Sequence, residues 1–217
     1  MTTANVLDMF HGDNNERIPD FAELRSAGVI ACVHKATQGV NFVDPRFADR
    51  ARAAADVEMP FYAYHFNDGS DPVEQAKRFI AAIDRVPAVI GGALDFEDNT
   101  TNMTLAGAVA FLTFCQSEDG YAMPIYSGNR IRELLSQDVA ALAQYGDFFK
   151  PRLLWLAEYG PHERLPAPWD DASKVLWQFS EDGQIGGIAG HVDTSYWPGD
   201  ADSLEAAWRA PLPTAIA

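Results

Sequence analysis

Phe61-Tyr62-Ala63-Tyr64-His65-Phe66, followed after Asn67-Asp68-Gly69-Ser70 by Asp71-Pro72-Val73-Glu74-Gln75-Ala76-Lys77-Arg78-Phe79-Ile80-Ala81-Ala82-Ile83, reads as one strand and one helix. The first six residues are aromatic and apolar with almost no polar interruption, as a strand covered on both faces requires. Asp71 suits a helix N-cap, and Pro72 suits the first helical position, where a missing N–H is harmless. Val73, Ala76, Phe79, Ile80 and Ile83 then recur at the helical period.

The same alternation extends in both directions. Strands are expected at Asn5 to Met9, Val29 to His34, Phe61 to Phe66, Val89 to Phe96, Met123 to Ser127, Leu153 to Glu158, Val175 to Phe179 and Val192 to Tyr196. Helices fit between the first six, with apolar stripes at Leu105, Val109 and Leu112, and at Ile131, Leu134, Leu135, Val139 and Leu142. Strands alternating with amphipathic helices form parallel sheets with crossover helices. After Leu153 the pattern changes, because Tyr159 to Asp171 is rich in Pro and too short for another packed helix. Five βα units followed by three strands predict an α/β fold, an irregular TIM-like barrel unevenly covered outside. Neither repeat nor linker divides the chain, so a single domain over residues 1–217 is expected.

Composition removes several function classes. The 217 residues carry 16 Lys and Arg against 31 Asp and Glu, a formal net charge of −15, with 47% hydrophobic residues. Nucleic acid is not an expected partner, since phosphate contacts need clustered cations. Anionic membrane surfaces are disfavoured for the same reason, and no segment is long and apolar enough to serve as a membrane anchor. Cys32 and Cys115 sit in apolar stretches and are expected to be buried thiols, and no metal-ligand spacing stands out.

The chemical signal is carboxylates at strand ends. In Ala93-Leu94-Asp95-Phe96-Glu97 the two acids are two apart, so on a strand both point to one face, with about 7 Å between their Cα atoms. Acids that close cannot ionise independently, and one pKa is pushed up. A lone Asp-x-Glu is as readily a solvated strand end. Here, however, Asp8 and Asp193 are expected at the C-terminal ends of the first and last strands, and a closed barrel makes those strands neighbours. Four acids would then converge where barrel enzymes place their chemistry. Such a site suits glycoside hydrolysis by a carboxylate pair, or a hard metal ion with oxygen ligands.

Aromatic residues fall at the same strand ends: Tyr62, Tyr64 and Phe66, Tyr126, Trp155 and Tyr159, Trp177 and Phe179, and Tyr196 with Trp197. Rings with polar tips stack on sugar faces and hydrogen-bond hydroxyl and acetamido groups, although strand alternation sends about half of them outward as core. Lys35 and His65 also sit at strand ends, where a structural partnership with a neighbouring acid is the commoner role.

In order along the chain come Asp8; His34-Lys35-Ala36-Thr37-Gln38-Gly39 with Phe42-Val43-Asp44-Pro45-Arg46-Phe47; Ala63-Tyr64-His65-Phe66; Asp71-Pro72-Val73-Glu74-Gln75-Ala76; Leu94-Asp95-Phe96-Glu97; Pro124-Ile125-Tyr126-Ser127; Leu154-Trp155-Leu156-Ala157-Glu158-Tyr159; Trp177-Gln178-Phe179-Ser180; and Gly187-Ile188-Ala189-Gly190-His191-Val192-Asp193. This series resembles the Chalaropsis-type lysozymes, glycoside hydrolase family 25. The resemblance implies a flattened barrel and cleavage of the β-1,4 bond from N-acetylmuramic acid to N-acetylglucosamine in bacterial peptidoglycan, with retention of configuration assisted by the substrate's acetamido group and no cofactor. Carried over position by position, Glu97 matches the general acid/base, Asp95 its partner, and Asp8 and Asp193 the other acids. Tyr64, Tyr126, Trp155, Tyr159, Trp177, Gln178 and Lys35 are the expected substrate contacts. Two departures mark the first loops: Phe10 stands where relatives often have Ser, and Gln38 where they often have Glu.

Two competing classes remain at this stage. One is a metal-dependent barrel hydrolase, the other a glycan-binding module on an inactive hydrolase scaffold. With no apolar leader at its start, the chain is expected to be made in the cytoplasm and to reach the wall as a phage endolysin does, through a membrane pore, or else by a secretion machine. A monomer is expected, and residues 1–217 are expected to form a single catalytic domain with no separate cell-wall-binding module. The charge of −15 gives slow long-range capture by anionic walls, improving with salt.

Overall fold

The computed structural model describes residues 4–211, so residues 1–3 and 212–217 of the expected 1–217 domain lie outside the described residues. All eight expected strands form: β1 (Val6–Met9), β2 (Ala31–Gln38), β4 (Phe61–Phe66), β5 (Gly92–Asp95), β6 (Ile125–Ser127), β7 (Leu154–Ala157), β8 (Val175–Gly183) and β9 (Val192–Tyr196). A further short strand, β3 (Phe42–Val43), folds back antiparallel on the end of β2. The order β1-β9-β8-β7-β6-β5-β4-β2 closes through a parallel β1–β2 ladder, giving an eight-stranded barrel with β3 appended. Within the barrel, pairing is parallel from β1 through β2 and β4 to β8, and antiparallel where β9 meets β8 and β1.

Helices α1 (Phe21–Ser26), α2 (Phe47–Ala55), α3 (Pro72–Ile83) and α4 (Leu105–Asp119) cover the first four units. The Asp71 carboxylate accepts from the N–H groups of Val73 and Glu74, so the expected cap and Pro start of α3 are both formed. Ala76, Phe79, Ile80 and Ile83 are buried against the sheet.

Three features differ from expectation. The stripe from Ile131 to Leu142 is split into α5 (Asn129–Ile131), which runs into a π turn at Arg132–Ser136, and α6 (Val139–Phe149). Asp138 caps α6 by accepting from Ala140 and Ala141, which restarts the helical phase and leaves Val139 83% exposed. β5 begins at Gly92 rather than Val89. A further helix beyond the expected set, α7 (Ala201–Trp208), follows β9 and is capped by Asp200.

That last helix closes the floor of the barrel. Trp208 is fully buried, stacks on Tyr62 at 4.2 Å between centroids, and donates its indole N–H to the Gly92 carbonyl at 2.9 Å. A Cβ at Gly91 would lie 2.9 Å from the Trp208 ring, so the indole can approach the start of β5 only over a glycine. Tyr62, Tyr64 and Phe66 alternate with outward residues along β4, so they rise in a column from this floor toward the C-terminal mouth.

Candidate active site

β1, β2, β4, β5 and β7 end at the same mouth, and their last inward side chains meet there. Asp8, Lys35, Tyr64, Phe66, Asp95, Glu97, Tyr126, Trp155 and Asp193 line one cavity of about 190 Å³. All four expected acids are among them. Glu97 also lines an adjoining cavity of about 490 Å³, together with Asp98, Asn129, Arg130, Glu158, Tyr159 and Arg164. It therefore stands at the junction of the two.

The segment carrying Asp95 and Glu97 is fixed by its own carbonyls. Asn67, fully buried, donates through Nδ2 to Asp95 O at 3.0 Å and to Glu97 O at 2.9 Å. Ser127 Oγ donates to Phe96 O at 2.6 Å, so three successive carbonyls are held from the two flanking strands. Asn67 was not among the expected site residues. Its only sequence signal is a polar amide immediately after the apolar run of β4.

A bulge in β2 between Lys35 and Thr37 sorts two neighbouring side chains to opposite faces. Lys35 turns inward, with its ammonium 4.6 Å from the Phe66 ring centroid. Thr37 turns outward, its hydroxyl 2.7 Å from His65 Nδ1, while His65 Nε2 lies 2.9 Å from Gln75 Oε1 of α3. His65 is thus structural, and its partners are a hydroxyl and an amide rather than an acid. Burial lowers its pKa to about 4, so it stays neutral.

Because β9 runs antiparallel, Asp193 reaches the mouth from the start of its strand and not from the expected C-terminal end. Asp8 and Asp193 are directly opposite on β1 and β9. Like charges in that relation repel, and the pair is relieved by a hydrogen bond between the two carboxyls. Asp8 is raised well above the carboxylate range, first by burial and then by Asp193, against the opposing bond from Gln178. Asp193 is raised to about 6, mainly by burial, while the bond from Asp8 pulls it down. Asp95 is raised by burial and by Glu97, with Lys35 opposing, and its Oδ1 is buried with no hydrogen-bond partner among the described residues. Burial, then Asp193 and Asp98, raise Glu97 to about 6. Burial lowers Lys35, opposed first by Asp95.

Gln178 lies among these groups without lining the cavity itself. Its Nε2 donates to Asp8 Oδ2 at 3.0 Å, and its Oε1 accepts from the hydroxyls of Tyr126 at 2.8 Å and Tyr159 at 3.2 Å. Trp155 donates to Ser195 Oγ and meets Tyr126 edge-on at 4.6 Å. Trp177, like Gln178, lines neither cavity. It neighbours inward-facing Gln178 on β8, so alternation turns it outward, where its Nε1 donates to Glu158 O. Glu158 is held by Arg132 and Arg164 beside the larger cavity. Both cysteines are free and buried, as expected.

The raised acids carry a stability consequence. Glu97 binds its proton more tightly in the fold (about 6) than at its ordinary value of 4.5, so the stability linked to it is full below about pH 4.5 and is lost as pH rises through 6. Glu97→Gln should therefore raise the melting temperature at pH 7.5 and lose that advantage at pH 4. Thermal unfolding at the two pH values checks this, and an equal shift at both would show that the charge is not the cause.

An eight-stranded α/β barrel with four carboxylates gathered at the mouth where its parallel strands end is the class of protein that fold and site define. The chain belongs to glycosyl hydrolases family 25, whose family model matches residues 8–188. It is 27% identical over 197 residues to the autolytic lysozyme of Clostridium acetobutylicum, an alignment covering 86% of this chain and 53% of that protein. The chain thus spans about half the length of that relative. In fold it resembles a bacterial lysozyme from Streptomyces coelicolor, with a TM-score of 0.74 at 22% identity, covering 93% of this chain and 95% of the other. It likewise resembles the catalytic domain of an endolysin from bacteriophage P40 of Listeria monocytogenes, with a TM-score of 0.73 at 22% identity over 94% and 98% of the two chains. Among the described residues, no helix is long and apolar enough to cross a membrane, and no group of three or more His, Cys, Asp or Glu side chains is arranged to hold a metal ion.

Proposed function

We propose that this chain is an N-acetylmuramidase that hydrolyses the β-1,4 bond between N-acetylmuramic acid and N-acetylglucosamine in bacterial peptidoglycan. The observation that carries this reading is the place of Glu97, an acid with its pKa raised to about 6 where two cavities meet, with three further carboxylates on one side of it. A sugar on either side of Glu97 brings the linking oxygen to the acid. Family membership supports the same substrate class.

Glu97 donates its proton to the glycosidic oxygen as the bond to the anomeric carbon breaks. The carbonyl oxygen of the substrate's own 2-acetamido group attacks that carbon from the opposite face, and its N–H is received by Asp95 Oδ1, the buried acceptor without a protein partner. Asp95 and Glu97 titrate as a pair, and Lys35, on which Asp95 acts more strongly than Glu97 does, opposes the burial that raises Asp95 and draws negative charge toward it. Water then adds to the anomeric carbon, giving its proton to Glu97 and releasing the acetamido group, with net retention. Asp8 and Asp193 share a proton and hold negative charge near the developing cation. Tyr64, Tyr126 and Trp155 wall the sugar, and Tyr159 extends the wall beyond Glu97. No cofactor enters.

The setting that accompanies this reading is that of a phage endolysin, made in the cytoplasm, released through a membrane pore and active as a monomer. The fold-level likeness to an endolysin domain supports it.

Digestion of purified peptidoglycan tests the activity. New reducing ends should appear, with kcat/KM falling as pH rises above about 6, where Glu97 loses its proton. Proton magnetic resonance should find the β anomer formed first. Release of peptides without reducing ends would contradict the assignment, and a first-formed α anomer would contradict retention.

A further inference from the structure

One sequence departure finds no role in this chemistry: Phe10, in the loop after β1. The loop is rigidly built. Asn14, Asn15 and Glu16 are consecutive left-handed residues with φ of 55°, 51° and 60°, a conformation tolerated by asparagine but rarely adopted three times running. Such a conformation persists only where its surroundings over-determine it. Here Arg50, fully buried, donates to Phe10 O and Asp13 O, both at 2.6 Å, and to Arg17 O at 3.1 Å. Asp44 Oδ2 accepts from His11 N at 2.9 Å, and Asn14 Oδ1 accepts from Ala189 N at 2.7 Å, tying the loop to the β8–β9 connection.

All this fixes an aromatic ring that remains 39% exposed. The Phe10 N–H is held by Asp13 Oδ2 at 2.7 Å, and the ring lies so close over Gly12 that a Cβ there would be 2.8 Å from it. The Lys35 ammonium, whose side chain lines the catalytic cavity, is 5.5 Å from the ring centroid. Phe10 and Tyr159 are the two exposed aromatics among the large apolar side chains described as exposed. Tyr159 follows β7 and Phe10 leans on Lys35 of β2. Those strands are diametrically opposed, whether one passes through β1, β9 and β8 or through β4, β5 and β6.

We infer that Phe10 with Lys35 forms an outer sugar position, continuous with the catalytic cavity on its β2 side, where the apolar face of a further pyranose ring of the glycan strand stacks on the ring of Phe10. This rests on the glycan reading above. Rigid aromatics give contact area at little cost in conformational entropy, as a stacking platform requires. The position is reached only by a strand long enough to cross the mouth.

Calorimetric binding of two-, four- and six-sugar fragments of the alternating glycan strand to Glu97→Gln protein, with and without Phe10→Ala, tests the assignment. Phe10→Ala should weaken the six-sugar fragment by roughly tenfold and leave the two-sugar fragment unchanged, and Phe10→Trp should restore the difference. Equal affinities with and without the ring at every length, while fragments still bind, would overturn the outer position and leave the glycan reading standing. Failure of the Glu97→Gln protein and of the unsubstituted protein to bind any fragment would overturn both.

Discussion

Glu97→Gln is expected to lower turnover of peptidoglycan by roughly 10²–10⁴-fold while glycan binding stays near its original strength. Gln preserves the size and polarity of Glu, so the junction between the two cavities keeps its shape. What it lacks is a transferable proton, and no other acid replaces Glu97 there. Asp95 belongs only to the smaller cavity, and Asp8 and Asp193 are engaged with each other. The loss should therefore fall on kcat rather than KM, as expected when an interaction acts only in the transition state. Steady-state rates on soluble glycan fragments, beside calorimetry on the same fragments, would show it. Near-normal turnover would remove Glu97 from the mechanism.

The second large effect is on stability. Trp208→Ala should destabilise the fold by about 3–5 kcal/mol, because it deletes a fully buried indole, its stack on Tyr62 and its hydrogen bond to Gly92 O. In a chain of this size that corresponds to a fall in melting temperature of roughly 6–20 °C. Gly91, which accommodates the indole, cannot fill the space left behind. Trp208 also stands 6.3 Å from Trp155, whose ring lines the catalytic cavity, so some loss of activity should accompany the unfolding shift. Calorimetric melting checks the main effect, and an unchanged midpoint would mean that α7 is dispensable to the barrel.

These two residues show how far the sequence could be read. Asp95 and Glu97 were legible because their spacing matches the strand period, and because β1 and β9, which carry Asp8 and Asp193, are adjacent in any closed barrel of this order. The Asp71-Pro72 start of α3 was legible because capping is local. Trp208 was not, since its partner Gly92 is 116 residues away and nothing near it in the chain announces that contact. Helix α7 itself left a readable trace, an Asp200 cap followed by Leu204, Ala207 and Trp208 on one face. Asn67 and Arg50 act by gathering carbonyls from distant segments, a role that side-chain type alone does not reveal. Trp177 and Gln178 are adjacent on β8 and so face opposite ways, which a position-by-position carry-over from a family does not register. Val139 failed for a related reason, because the Asp138 cap resets the helical phase that the stripe assumed to be continuous.

Mass spectrometry of borohydride-reduced products, after purified peptidoglycan is incubated with the protein and in parallel with Glu97→Gln, tests the proposed activity most directly. Muropeptides ending in reduced muramic acid, formed by the unsubstituted protein and absent with the variant, are the predicted result. Reduced glucosamine ends, released peptides or an unchanged polymer would contradict it.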